Sequence, residues 1–452
     1  MICKKSLTMQ EDNSMFEKIL GDLEHIIEND INSRLKTFSV VPVTENKNKS
    51  PILYERQNGS EHHLGLESWC VKHIYKYAST ELFRVRRLLK KNRLSVFQME
   101  TLNKYLVGAL LINPEVTTFW NMKKELIEQD ILQTGKELLF TKLVLSHKSK
   151  SNDTFNHRRW LLKRMLSNTK PECYIDMLPE EFAVTEFAAE KAENNYHAWT
   201  HRIWCLENFL FSKTIDYQSK SNVIFEQLQF SLGWINNHIS QHSGYHYRQY
   251  LINCIKNIPT MNNSISNTSF MFVKNLLGLS IEDMSNERSF INKLLGESKD
   301  YASESNNYSN YVCILLYELF HTLKTLFCFY PKHETIWYHR KFIVYHLLQW
   351  MYDCYGIEWQ PKINLSNVCE YNVNVVDNCT YKNVKFAESG EKFAKLFKFE
   401  TDRLDSSLLY QIIVQSEFDI VKTSLSSACL HTQKLAERYE RWLKNIACLR
   451  GS

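Results

Sequence analysis

"ENNYHAWTHRIWCLENF", Glu193 to Phe209, gathers two tryptophans, two histidines and an arginine into one short stretch with helical spacing. It is one copy of a repeat. "FNHRRWLL" at Phe155, "WTHRIWCL" at Trp199, "YHYRQYLI" at Tyr245 and "WYHRKFIV" at Trp337 share an aromatic, any residue, His or Tyr, Arg, any residue and a second aromatic. A weaker copy, "WNMKKELI" at Trp120, has Lys123 for the arginine and Glu125 for the second aromatic. The copies follow one another at 35, 44, 46 and 92 residues, the last being twice 46. Such periods suit one helical hairpin per repeat.

Within a copy the first aromatic, the arginine three on and the apolar residue seven on share a helical face, as Trp199, Arg202 and Leu206 do. Pro114 and Pro331 precede two of the motifs and mark helix starts, with threonines as caps. No convincing run of alternating strands is present, so the expected fold is all-α, a right-handed superhelical crescent of antiparallel helical hairpins. Residues 1–65 read as an amphipathic helix near Phe16 to Leu35 and an extended segment; 66–258 as hairpin repeats; 259–310 as an Asn/Ser-rich insertion; 311–351 as a further repeat; 352–398 as an irregular insertion; and 399–452 as C-terminal helices.

Of the 452 residues 44% are apolar and 13% aromatic, ample for a folded core, and the net charge of +5 creates no field that would demand nucleic acid or a membrane surface. "YLVGALLI" and "YVCILLYELF" are far shorter than the roughly 20 residues of a membrane span. The opening residues lack a signal-peptide pattern, and the 12 cysteines contain no CxxC pair, so a cytoplasmic protein with free thiols is expected. Cys448 is misplaced for a C-terminal prenylation box.

Residues that recur in every hairpin are explained first by stacking: Trp120, Phe155, Arg158, Trp199, Arg202, Tyr245, Arg248, Trp337 and Arg340 pack and hydrogen-bond successive hairpins, the arginines pairing with carboxylates or loop carbonyls. A zinc site is the sharper alternative, since His197 and His201, or His238, His242 and His246, stand four apart. Neither cluster carries the HExxH glutamate, and Gly244 weakens helix continuity in the second. With 12 glycines the chain has little equipment for a phosphate-cradling Gly-rich loop. No metal or cofactor is expected in this chain.

The repeated Trp-x-x-Arg helix resembles the alpha subunits of protein prenyltransferases, whose hairpins curve around a beta subunit, and "NYHAW" at Asn195 is similar to the same pentapeptide there. "SPILYE", "LGLESWCVKHIY", "HSGYHYRQYL" and "HETIWYHRKF" resemble a divergent branch of that family, alpha-like subunits of a third type of geranylgeranyltransferase that uses the Rab geranylgeranyltransferase beta subunit. The resemblance implies a heterodimeric enzyme active only with that beta subunit, which holds the catalytic zinc and the isoprenoid tunnel. It implies geranylgeranyl transfer to a cysteine of a SNARE-type or other already-lipidated protein. It also places three catalytic residues at the isoprenoid diphosphate: Lys150, five before Phe155, with Tyr196 and His197. A cation with two hydrogen-bond donors suits a departing diphosphate. The departures are Phe155 for the usual tryptophan, Asp153 near Lys150, and the degenerate first repeat. The rival reading is a helical-repeat adaptor that binds proteins without catalysis.

Overall fold

The computed structural model describes residues 2–30, 34–42, 50–56, 61–89, 101–212, 214–256, 311–312, 314–355 and 406–448. The insertion expected at 259–310 and the irregular stretch beyond residue 355 lie outside the described residues. The chain divides into two compact units, Met1–Ile215 and Asp216–Ser452.

The first unit opens with α1 (Ile2–Glu28) and continues through a three-stranded sheet, β1 (Leu35–Val41), β2 (Ile52–Arg56) and β3 (His62–Glu67). Among the described residues the α-helices that follow are α2 (Ser68–Leu89), α3 (Leu102–Ile112), α4 (Thr117–Glu128), α5 (Thr134–His147), α6 (Asn152–Asn168), α7 (Leu178–Lys191) and α8 (Tyr196–Cys205), the last continued by a π turn over Leu206–Leu210. The sheet corrects the all-α expectation. Its order is β1-β3-β2, with β3 parallel to β1 and antiparallel to β2, and β3 runs across the boundary placed at residue 65. The first helix also stops earlier than expected. After Glu28 the Asp30 carboxylate accepts the amides of Arg34 (2.9 Å) and Leu35 (2.8 Å), so the chain turns and Leu35 enters β1.

β1 is held against α5: the Phe38 amide donates to Ser146 Oγ at 2.8 Å, and the Phe38 ring meets His147 edge-on. β3 buries Leu64 and Leu66. α1 docks on α2 and α3 through Glu17, which accepts from Tyr77, Tyr105 and Lys104. Gly108 makes room for it; a Cβ there would lie 2.1 Å from Leu20 Cδ2. The apolar faces of these elements form one core with α4 and α5.

The second unit contains α9 (Tyr217–Asn237), α10 (His242–Lys256), a π turn over Glu318–Thr322, α11 (Leu323–Phe329), α12 (Glu334–Tyr355), α13 (Ser406–Leu425) and α14 (Leu430–Cys448). α10 packs on α9 and α12, and α12 packs on the α13–α14 hairpin. Gly244 does not interrupt α10; it accommodates the Trp234 indole, whose Cδ1 would lie 2.7 Å from an added Cβ. The break falls before His242, so His238 stands outside that helix. The threonines do not cap by side chain. Val116 precedes α4 without a capping bond, Thr117 binds Asp153 (2.6 Å), and the prolines serve by their carbonyls: Trp120 Nε1 donates to Pro114 O at 2.7 Å and Trp337 Nε1 to Pro331 O at 2.9 Å.

Candidate functional site

The motif helices are α4, α6, α8, α10 and α12, and their conserved spacing is spent on a connection between hairpins. Arg158 on α6 turns Nη1 to its own hairpin, where Leu138 O (2.7 Å) and Thr141 Oγ1 (2.9 Å) accept on α5. Its other edge grips Glu181 of α7, Nε to Oε2 and Nη2 to Oε1, both at 2.8 Å. His201 on α8 reaches the same carboxylate with Nε2 at 2.9 Å. All three are buried. A bidentate guanidinium with a carbonyl and a hydroxyl on its remaining face repays its desolvation. Burial works against charge on Glu181, but Arg158 and His201 outweigh it and hold the carboxyl down at about 2.

The arrangement recurs in the second unit. Arg248 binds Leu228 O and Ser231 Oγ, then Glu318 at 2.8 and 2.6 Å, and His339 Nε2 joins Glu318 at 2.8 Å. Arg340 binds Glu417 at 2.6 and 2.7 Å, and there the Tyr439 hydroxyl donates at 2.6 Å. In α9–α10 a neutral pair takes the place of carboxylate and histidine, Tyr247 OH donating to Gln227 Oε1 at 2.9 Å. Ring contacts follow the same order: Trp120 on His157 (4.6 Å between centroids), Phe155 on His201 (5.2 Å), Tyr245 on His339 (5.4 Å) and Trp337 on Tyr439 (5.3 Å).

Sequence reading missed Glu137, Glu181, Glu318 and Glu417, and it missed that α14 is a further, degenerate motif helix. Tyr439 and Trp442 keep the third and sixth motif positions, while Glu440 replaces the arginine and pairs with Lys444 at 2.6 Å. The available signal is a glutamate 20, 20, 21 and 22 residues before His157, His201, His339 and Tyr439.

Glu181, His201 and Cys205 place a ligand atom each within 4.8 Å of the others. Their setting is that of a hairpin junction rather than a metal centre. Both Glu181 oxygens are taken by Arg158, whose charge repels a cation, and burial together with Glu181 pushes the Cys205 thiol far up. His197 is half-exposed at the start of α8 and His201 buried below it, so the two do not share a ligand set; His238 instead stacks on Trp234.

Lys150, Tyr196 and His197 lie on one edge. Lys150 is exposed in the α5–α6 turn, one residue from the Ser151 cap of α6. Asn194, at φ 51°, reverses the chain between α7 and α8; Asn195 then caps α8 and donates Nδ2 to Ser149 O at 2.7 Å and to Ala188 O at 2.9 Å. That side chain ties the Lys150 turn to the Tyr196–His197 helix start. Tyr196 is 63% exposed, its ring edge-on to His197 at 6.0 Å. Asp153, the expected competitor for Lys150, accepts from Thr117. Lys191 donates to Ser146 O nearby. The edge carries the starts of two helices, each presenting the positive end of its dipole.

Hairpins joined by an Ar-x-[HY]-R helix define a helical-repeat protein. The model of the protein prenyltransferase alpha subunit repeat matches residues 135–165, 178–209 and 316–347, which are the hairpins α5–α6, α7–α8 and that ending in α12, and the chain carries these repeats. It is 29% identical over 357 residues to the zebrafish protein prenyltransferase alpha subunit repeat-containing protein 1, covering 75% of this chain and 74% of that one. The human protein of that name is 28% identical over 75% of this chain and 79% of its own. The geranylgeranyl transferase type-2 subunit alpha of Saccharomyces cerevisiae is 29% identical over 40% of this chain and 52% of its own. Among the described residues no helix is long and apolar enough to cross a membrane.

Proposed function

We propose that this chain is the alpha-like subunit of a heterodimeric protein geranylgeranyltransferase. Its hairpins form a right-handed crescent that docks a beta subunit of the Rab geranylgeranyltransferase type, and the edge with Lys150 and the two helix starts faces the isoprenoid diphosphate. The observation that supports this reading is the Asn195–Ser149 bond, which ties the turn preceding Lys150 to the helix start that carries Tyr196 and His197. The similarity to geranylgeranyl transferase subunits supports the class of reaction. A zinc ion held by the beta subunit would favour the thiolate form of the acceptor's own cysteine, which attacks the isoprenoid carbon as the diphosphate leaves. As the carbon–oxygen bond to the diphosphate breaks, charge builds on the departing oxygens; the Lys150 ammonium and the donors of Tyr196 and His197 stabilise it there. The turn and the cap hold these groups in place before substrate arrives, so little reorganisation opposes the step.

Single-turnover transfer by the reconstituted heterodimer tests the assignment. Lys150→Ala removes a charge-assisted hydrogen bond and slows transfer roughly 10- to 100-fold; Tyr196→Phe and His197→Ala lose less. A wild-type rate from an intact Lys150→Ala heterodimer removes Lys150 from the site, and an assembled wild-type heterodimer without transfer moves the protein to the adaptor class.

A further inference from the structure

Arg159 stands next to Arg158 on α6 and is its opposite in company. Arg158 is saturated; Arg159 makes one hydrogen bond, Nη1 to the Asn156 amide oxygen at 3.2 Å, and its buried Nε has no partner among the described residues. Among those residues no carboxylate pairs with it. At the same place in other repeats the side chain rests on the next motif helix: Lys124 lies over Trp160 at 5.4 Å, Lys341 over Trp442 at 5.6 Å, and Gln249 reaches His339. Over Trp204, the equivalent ring beside Arg159, Lys163 sits instead, at 5.9 Å. Arg159 is therefore left half-buried in the crevice between α6 and α8, where burial lowers its pKa and Cys205 and Tyr196 act against that lowering. A half-buried guanidinium without an anion is costly, and a bound anion would offset that cost.

We propose that Arg159 is a positioning residue of a diphosphate site at this edge, donating to phosphate oxygens alongside Lys150 and Tyr196. The proposal rests on the reading of that edge given above, and its planar fork makes it better suited than a lysine to hold two oxygens at once.

The test uses the full chain and inorganic diphosphate, with sulfate at equal ionic strength as the control and geranylgeranyl diphosphate as a second ligand. Diphosphate is expected to raise Tm beyond the sulfate control. Arg159→Met weakens the apparent diphosphate affinity about tenfold, with Arg159→Lys between it and wild type. Without anion, Arg159→Met is at least as stable as wild type, because an uncompensated charge has gone. A tighter response to geranylgeranyl diphosphate than to inorganic diphosphate assigns the site to the lipid donor; equal responses assign it to the diphosphate group alone, and both support the anion site. Absence of a diphosphate response beyond sulfate, or an unchanged affinity in Arg159→Met, overturns the proposal. Loss of affinity in Arg159→Met beside a wild-type heterodimer without transfer keeps the anion site and discards the transferase reading.

Discussion

The junctions at Glu181 and Glu137 occupy equivalent places in successive hairpins, and they are satisfied to different degrees. Glu181 receives both arms of Arg158 and the ring of His201. Glu137 receives Lys123 at one oxygen, 2.7 Å away, while its Oε2 has no hydrogen-bond partner and His157 stays 3.9 Å off. An ammonium is a point donor and a guanidinium a planar fork, so replacing the motif arginine by lysine leaves half a carboxylate unanswered. Lys123 turns elsewhere for its second bond, to Asn103 Oδ1 at 2.8 Å, and Asn103 in turn donates to Glu28 of α1. The degenerate first repeat is thus propped by the N-terminal helix, where the later repeats are self-sufficient.

Removing the two carboxylates strains this contrast most. Glu181→Ala strands a buried guanidinium and is expected to cost about 3–5 kcal/mol, against about 2 kcal/mol for Glu137→Ala, where Lys123 retains Asn103. Urea unfolding of the full chain measures both; equal losses would show that the lysine junction is as tightly coupled as the arginine one.

Acid separates the same junctions by their titrating groups. Burial holds His157 well below its ordinary value, and His201 is lowered as well, by burial that outweighs Glu181. As pH falls below about 6.5 the unfolded chain takes up protons that the fold refuses, and stability drops by up to about 1.4 kcal/mol per histidine per pH unit. Glu181, depressed from 4.5 to about 2, contributes stability that is present above 4.5 and lost as pH falls toward 2. A Tm profile with two descending limbs is expected, and His157→Gln makes the upper limb shallower while leaving the lower one unchanged. A profile flat from 7 to 5 would contradict the burial of these rings.

Tyr439→Phe tests the last junction. Arg340 still grips both oxygens of Glu417, so loss of the 2.6 Å hydroxyl bond is expected to cost about 1 kcal/mol in urea unfolding, well short of the Glu181 effect. An effect of opposite sign falls on α1, the prop. Burial, then the neighbouring Glu28, raises Glu24 to about 7, so its protonated form belongs to the fold and stability is lost as pH rises from 4.5 through 7. Glu24→Gln should raise Tm at pH 8 and leave it unchanged at pH 4.5; a destabilisation at pH 8 would sink this.

The arginine helices were legible because four copies repeat an unusual residue set. Their carboxylate partners were not: each glutamate stands alone on a less patterned helix, among many glutamates that merely face water. α14 escaped because the motif's most visible residue had changed, leaving only Tyr439 and Trp442. The sheet escaped because its strands are five to seven residues long and two of them are joined through a Lys/Asn-rich segment. Lys150, Tyr196 and His197 were singled out by resemblance alone. What ties the turn of Lys150 to the helix start of Tyr196 and His197 is an asparagine amide bonded to a carbonyl 46 residues back, and residue types carry no trace of that.

A motif helix that keeps its cation reaches forward to a carboxylate of the following hairpin, as Arg158, Arg248 and Arg340 do. At α14 that direction is lost: Glu440 occupies the arginine's place and spends its charge on Lys444 of its own helix, so a position that elsewhere joins two hairpins here serves only the helix that carries it.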